Sequence, residues 1–201
     1  MKTTRAYTMG ARARAVEETR RRIADALVDL AGQKPFADIS LEDVARAAGV
    51  SVQTVLRQFG SRDQLFAAAS DHAMAVTAEE RRTPAGDVAA AFRVLGDHYE
   101  KDGRRALLML AQEDHDSFAR TMTDRGRAMH RQWVREVFAP ATDDEEVLDL
   151  LVVATDVYTW KLLRLDRGLS RATTLRRMQA LAEGVLGAAG VTLHRAEHDH
   201  A

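Results

Sequence analysis

Residues 39–65 read ISLEDVARAAGVSVQTVLRQFGSRDQL, and this stretch decides the fold. Three helix starts lie in it. Ser40 precedes Leu41-Glu42-Asp43, so its hydroxyl oxygen can accept a first-turn amide while the acids meet the positive helix end. Ser51 caps a second helix, expected over Val52–Gln58. Ser61-Arg62-Asp63-Gln64 has the spacing of a capping box and opens a third. Gly49 supplies the turn between the first two, because glycine takes a positive φ without steric cost. Ala45 and Ala48 are small and let two short helices cross closely. Val50 and Val55 fill the wedge, and Phe59 lies four residues after Val55 on the same face. Residues 40–59 thus read as a helix-turn-helix.

The other face of its second helix is polar. Gln53 and Arg57 are four apart and point together, with Thr54 beside them. Such a helix suits entry into a DNA major groove by its N-terminus. Glutamine can pair with adenine, arginine with guanine, and Val52 can press on a thymine methyl. The helix amides can meet a phosphate. The candidate DNA contacts are Ser40, Leu41, Ser51, Val52, Gln53, Thr54, Arg57 and Arg62.

These residues carry a resemblance. Residues 20–70 resemble the N-terminal domain of the TetR family of repressors. The match runs through Ile39–Ser51, then Thr54, Phe59 and Ser61-Arg62-Asp63-Gln64-Leu65, about a quarter of the chain. The resemblance implies an all-α protein with a three-helix DNA-binding domain and a C-terminal helical domain that dimerises and holds a ligand cavity. Leu56 stands where the family commonly has a phosphate-binding tyrosine, so the anchoring duty is expected to pass to Ser40, Arg57, Arg62 and an arginine-rich arm. Gln53 replaces a common glycine or proline. Arg62 keeps the charge of the family's usual lysine.

Composition agrees with helices. Of 201 residues, 46% are hydrophobic and three are proline. Net charge is −1, which by itself would not point to nucleic acid. The basic residues are unevenly placed: Lys2, Arg5, Arg12, Arg14, Arg20, Arg21 and Arg22 face only Glu17 and Glu18 in the first 22 positions. That end is either a phosphate-contacting segment or a solvated tail. The expected organisation is a disordered basic arm over 1–10, the DNA-binding domain over 11–70, a helical domain over 71–190 and a flexible tail over 191–201. Helices are expected over 11–31, 41–48, 52–58, 61–82, 86–101, 104–112, 116–138, 143–166 and 171–188. Gly103, Pro140 and Gly168 mark joints and Ser170 an N-cap.

In the C-terminal domain, residues 147–165 are apolar around much of the helix, and the last helix carries a second stripe. Val147, Leu150, Leu151, Ala154, Leu175, Met178, Leu181 and Val185 are the candidate dimer residues. The alternative is that both are core helices of a monomer; two half-sites on DNA call for a two-fold protein and favour the dimer. Phe92, Leu95, Tyr99, Met109, Phe118, Met122, Met129, His130, Trp133 and Tyr158 are the candidate pocket residues, because methionines and aromatics line adaptable apolar cavities. Each taken singly is ordinary core. His98, His115, His130, Gln112 and Asp156 are either polar anchors or surface groups.

Other chemistries find little support. There is no cysteine, which excludes disulfides and thiolate metal sites. Asp114, His115 and Asp116 are adjacent and do not share a helix face, so they make a poor cage. No phosphate loop, nucleophile motif or zinc-protease pattern is present. The expectation is a non-enzymatic regulator without metal or cofactor, cytoplasmic, with double-stranded DNA, a second copy of itself and a mostly apolar small molecule as partners, and no membrane. Asp149, Asp156, Lys161 and Arg164 interrupt the longest apolar stretch and argue against a span. The alternative is a helical small-molecule-binding or catalytic protein in which the helix-turn-helix is only scaffold.

Overall fold

The computed structural model describes residues 3–191, with side chains from residue 12 onward. Every regular element among the described residues is helical. The chain divides into two compact units, one ending at Val76 and the other beginning at Thr77.

The first unit holds α1 (Thr3–Ala31), a 3-10 turn (Phe36–Asp38), α2 (Leu41–Ala48), α3 (Val52–Phe59) and most of α4 (Arg62–Glu80). Helix α1 buries Ile23, Ala24, Leu27 and Ala31, the inward stripe of its later turns. It starts at Thr3, so residues 3–10 of the expected basic arm lie on this helix, and residues 1–2 lie outside the described residues. Alanine, arginine and methionine are good helix formers, and no proline interrupts them. Around α1 the core is closed by Phe36, Ile39, Val44, Val55, Leu65 and Phe66, each at most 4% exposed. The Phe36 and Phe66 rings meet edge to face at 6.0 Å.

The second unit holds α5 (Val88–Leu110), α6 (Ser117–Phe138), α7 (Glu145–Thr155), α8 (Val157–Lys161) with a wider π-helical turn after it (Leu162–Asp166), and α9 (Arg171–Ala188). Side-chain oxygens of Asp87, Asp116, Asp144, Asp156 and Ser170 accept first-turn amides. These bonds satisfy donors that a helix end leaves orphaned. Phe92, Leu95, Val134, Phe138, Leu148, Leu151, Trp160, Met178 and Leu186 form the core between them.

Two joints differ from the sequence reading. Gly103 does not break a helix but sits inside α5, where a Cβ would lie 2.7 Å from the Trp160 ring. The missing side chain is what lets the indole pack there. Conversely, the helix expected over 143–166 is broken at Asp156. Its backbone is extended (ψ 154°), and its Oδ1 accepts the Tyr158 amide at 2.8 Å to start α8. The tail residues 192–201, expected to be flexible, lie outside the described residues. No helix among the described residues is long and apolar enough to cross a membrane.

Candidate functional site

Local chemistry fixes the helix-turn-helix firmly. Ser40 Oγ accepts the Asp43 amide at 3.1 Å and Asp43 Oδ2 accepts the Ser40 amide at 3.2 Å, a reciprocal box with Asp43 in the acidic role. Asp43 also receives Lys34 Nζ at 2.6 Å, and these bonds, Lys34 first, hold its carboxyl well below the usual range. Gly49 ends α2 at φ 65° with its amide on the carbonyls of Ala45 and Arg46. Ser51 then caps α3, accepting the Thr54 amide at 3.1 Å. Val55 and Phe59 face inward.

The face left outward is the one expected. Gln53 and Arg57 are exposed, as are Ser40 and Ser51, while Val52, Thr54 and Leu41 are half-buried at its edge. Thr54 Oγ1 lies 3.0 Å from Ser51 Oγ, so these two hydroxyls orient each other. Leu56 is 40% exposed on the same helix, an apolar group at a place with no phosphate-binding capacity.

Arg62 is different. Its Nη2 donates to the Phe36 carbonyl at 2.7 Å and to the Ile39 carbonyl at 3.3 Å, its Nε donates to Ile39 at 3.4 Å, and its guanidinium lies 4.2 Å over the Phe66 ring. Arg62, expected to meet a phosphate, makes these bonds within the unit itself. They tie the 36–39 turn to α4, the Phe36 carbonyl accepting from Arg62 as well as from the Ile39 amide at 3.1 Å. Arg20 behaves alike. It donates to the Gln58 carbonyl at the end of α3 and stacks on Phe59 at 4.4 Å. Arg12, Arg14, Arg21, Arg22 and Arg57 remain exposed.

In the second unit the candidate pocket residues are mostly buried or partly buried, and Phe92, Leu95, Tyr99 and Trp133 share one core cluster. Phe92, Leu95, Tyr99, Met122, His130 and Trp133 are buried, and Met109, Phe118 and Met129 are partly so. Tyr158 is half exposed and does not belong with them, since the break at Asp156 turns it outward. Of the proposed polar anchors, His98 and His130 lie inside, His115 is exposed, and Asp156 is spent on its cap.

A buried polar chain threads this interior. Arg81, just past α4, is 3% exposed and donates from Nη2 to His130 Nδ1 at 2.9 Å. Arginine has no acceptor, so Nδ1 must accept and His130 carries its proton on Nε2. That nitrogen lies 3.1 Å from Thr155 Oγ1, which donates onward to the Leu151 carbonyl at 2.7 Å. Tyr99 donates its hydroxyl proton to the Thr155 carbonyl at 2.8 Å. Trp133 Nε1 donates to the Arg81 carbonyl, and the guanidinium lies 4.3 Å over the Trp133 ring. Burial, then the Arg81 charge, pushes His98 and His130 down to about 3, and burial pushes the Tyr99 hydroxyl up. In the sequence Arg81 is one more helix-end arginine beside Arg82, and no local spacing marks it as buried.

The candidate dimer residues split by face. Val147, Leu151, Ala154 and Met178 point into the unit's own core and are at most 8% exposed, so they do not form a surface. Leu175 and Val185 are partly buried against that core. Leu150 and Leu181 are outward, at 55% and 51% exposed, and Val153, Tyr158 and Leu162 join them at 50–63%. Leu150 and Val153 lie on α7 and Leu181 on α9, which pack against each other, while Tyr158 lies on α8 and Leu162 starts the π-helical turn. As to metals, Glu80, His98 and Asp102 bring ligand atoms within 4.8 Å of one another. Lys101 and Arg105 already pair with these carboxylates, so cationic side chains occupy the charges a metal ion would need.

Comparison with known proteins agrees with this geometry. Residues 23–69 match the model of the bacterial regulatory proteins of the tetR family. A 43-residue stretch is 49% identical to the HTH-type transcriptional regulator AlkX of Mycobacterium tuberculosis, and it covers 21% of this chain and 20% of that protein. The match thus spans about a fifth of that relative's length. Two solved structures share the fold over most of the chain. A transcriptional regulator from Rhodococcus sp. Rha1 has a TM-score of 0.64 at 19% identity, covering 88% of this chain and 99% of that one. A tetR-family regulator from Streptomyces coelicolor has a TM-score of 0.63 at 23% identity, covering 86% and 83%.

Proposed function

We propose that this chain, whose residues 23–69 match the tetR-family model, is a TetR-family transcriptional regulator, a ligand-responsive repressor that binds a two-fold DNA operator as a dimer. The observation that carries this reading is α3. It is a short helix capped at Ser51, buried on one side by Val55 and Phe59, and presenting Gln53 and Arg57 outward with no hydrogen bond or ion pair among the described residues. Exposed bidentate donors on a pre-formed helix suit base edges in the major groove, and the capped N-terminus suits a phosphate.

Dimerisation is supported by the outward band of Leu150, Val153, Tyr158, Leu162 and Leu181, apolar surface that a second copy would cover. Two half-sites one DNA turn apart call for such a two-fold protein. The interior of the second unit, lined by Phe92, Tyr99, Met122 and Trp133, is where a small molecule would act. It would shift DNA binding only through unequal affinity for the DNA-competent and incompetent states.

The test is a gel shift on the DNA flanking the protein's own gene, repeated across salt. Binding that beats scrambled DNA and weakens with salt supports the reading. Absence of binding at low salt with excess protein would sink it. Arg57→Ala should cost specific binding about 1–3 kcal/mol while sparing non-specific binding. Equal losses on both DNAs would refute base readout.

A further inference from the structure

Among the described residues, Arg81 is the only lysine or arginine that is buried, and it forms no ion pair. Its single side-chain hydrogen bond goes to a histidine, and its Nε, shielded from solvent, has no hydrogen-bond partner. A buried charge is ordinarily paired, because desolvation is otherwise uncompensated. Its neighbours do not supply the anion. His130 is an acceptor and neutral, Trp133 offers a ring face, and Tyr99 keeps its proton in a bond to the Thr155 carbonyl. His98 Nδ1, also shielded from solvent, makes no hydrogen bond, and the carboxylate nearest it, Asp102 at 3.7 Å, pairs with Arg105 at 3.1 Å.

We propose that the effector of this protein is a monocarboxylate with an apolar body, its carboxylate paired with the Arg81 guanidinium inside the second unit. This deepens the ligand-responsive reading and rests on it. The guanidinium is a planar fork that matches a carboxylate with two parallel bonds. One uncompensated positive charge takes one negative charge, whereas a phosphate dianion would leave a buried excess. The Trp133 ring face on which Arg81 stacks and the neighbouring Tyr99 suit aliphatic or aromatic carbon.

The test is calorimetric titration of the full chain, without DNA, using octanoate and 4-phenylbutyrate against octanamide and 4-phenylbutanamide. The expected result is binding of at least one acid, with its amide weaker by about tenfold or more. Arg81→Met should erase that acid-over-amide preference, and Arg81→Lys should keep the preference at lower affinity. Amides binding as well as acids, no acid binding at millimolar concentration, or a folded Arg81→Met protein that keeps the preference each overturns the proposal. If Arg81→Met does not fold, the wild-type comparison and Arg81→Lys still decide. A gel shift separates the two readings. If the amides release DNA as readily as the acids, the charge anchor fails while the regulator reading stands. If no DNA is bound but the acid preference holds, the reverse is true.

Discussion

Substituting Arg62 by alanine distinguishes a DNA contact from a structural staple. The bond from Nη2 to the Phe36 carbonyl at 2.7 Å is charge-assisted and contributes about 1.5 kcal/mol or more. The two contacts to Ile39 at 3.3 and 3.4 Å share one acceptor and add little. Stacking on Phe66 adds about 0.5–1 kcal/mol. Arg62→Ala should therefore destabilise the first unit by about 2–3 kcal/mol, which for a unit of this size lowers its melting midpoint by on the order of 10 °C. Arg57, exposed and without a hydrogen bond or ion pair among the described residues, should show the opposite pattern: Arg57→Ala leaves the midpoint unchanged and lowers DNA affinity. The chain's two tryptophans, Trp133 and Trp160, both lie in the second unit, so their fluorescence does not report on the first. The assay is far-ultraviolet circular dichroism for melting, paired with DNA titrations across salt below the melting range. If Arg62→Ala leaves the midpoint in place yet reduces the salt slope by about one, the residue is a phosphate contact and the staple reading is wrong.

Three further outcomes follow from the same structure. Gly49→Ala should cost about 1–2 kcal/mol from backbone strain alone, because φ is 65° and nothing lies within 4 Å of the added carbon, while Gly49→Asn should cost less; equal melting of the alanine variant and the wild type would refute this. His98 and His130, held at about 3 against an ordinary 6.5, stay neutral in the fold while their unfolded counterparts protonate. Stability of the second unit is thus full above pH 6.5 and falls below it by up to about 1.4 kcal/mol per pH unit for each histidine; a tryptophan-fluorescence midpoint that is flat from about pH 7.5 to 5 would contradict this. Leu150→Glu or Leu181→Glu should convert a dimer to a folded monomer by light scattering, whereas Leu151→Glu, with that side chain fully buried, should unfold the second unit. A Leu150→Glu, Leu181→Glu double variant that stays dimeric would exclude this face.

What the sequence determined by itself is the local grammar. Ser40, Ser51 and Ser170 cap helices through bonds that reach only three residues ahead, and Gly49 turns the chain within one residue. Such interactions are written in adjacent letters, so the helix-turn-helix and its outward Gln53 and Arg57 were legible. The tertiary structure decided which of several similar groups are free. Arg57, Arg62 and Arg81 look alike in a sequence. Yet one is exposed, one is bonded to carbonyls 23 and 26 residues away, and one is buried against a histidine 49 residues away. Helical periodicity likewise marks Leu150 and Leu151 as apolar but not which of them the chain covers itself. Only the packing of α7 against α9 assigns Leu151 to the core and leaves Leu150 outward. The physical reason is range. Capping and turns are settled by neighbours along the chain, whereas the partner of a long cationic side chain, and the side of a helix left bare, depend on residues that meet only after the chain has folded.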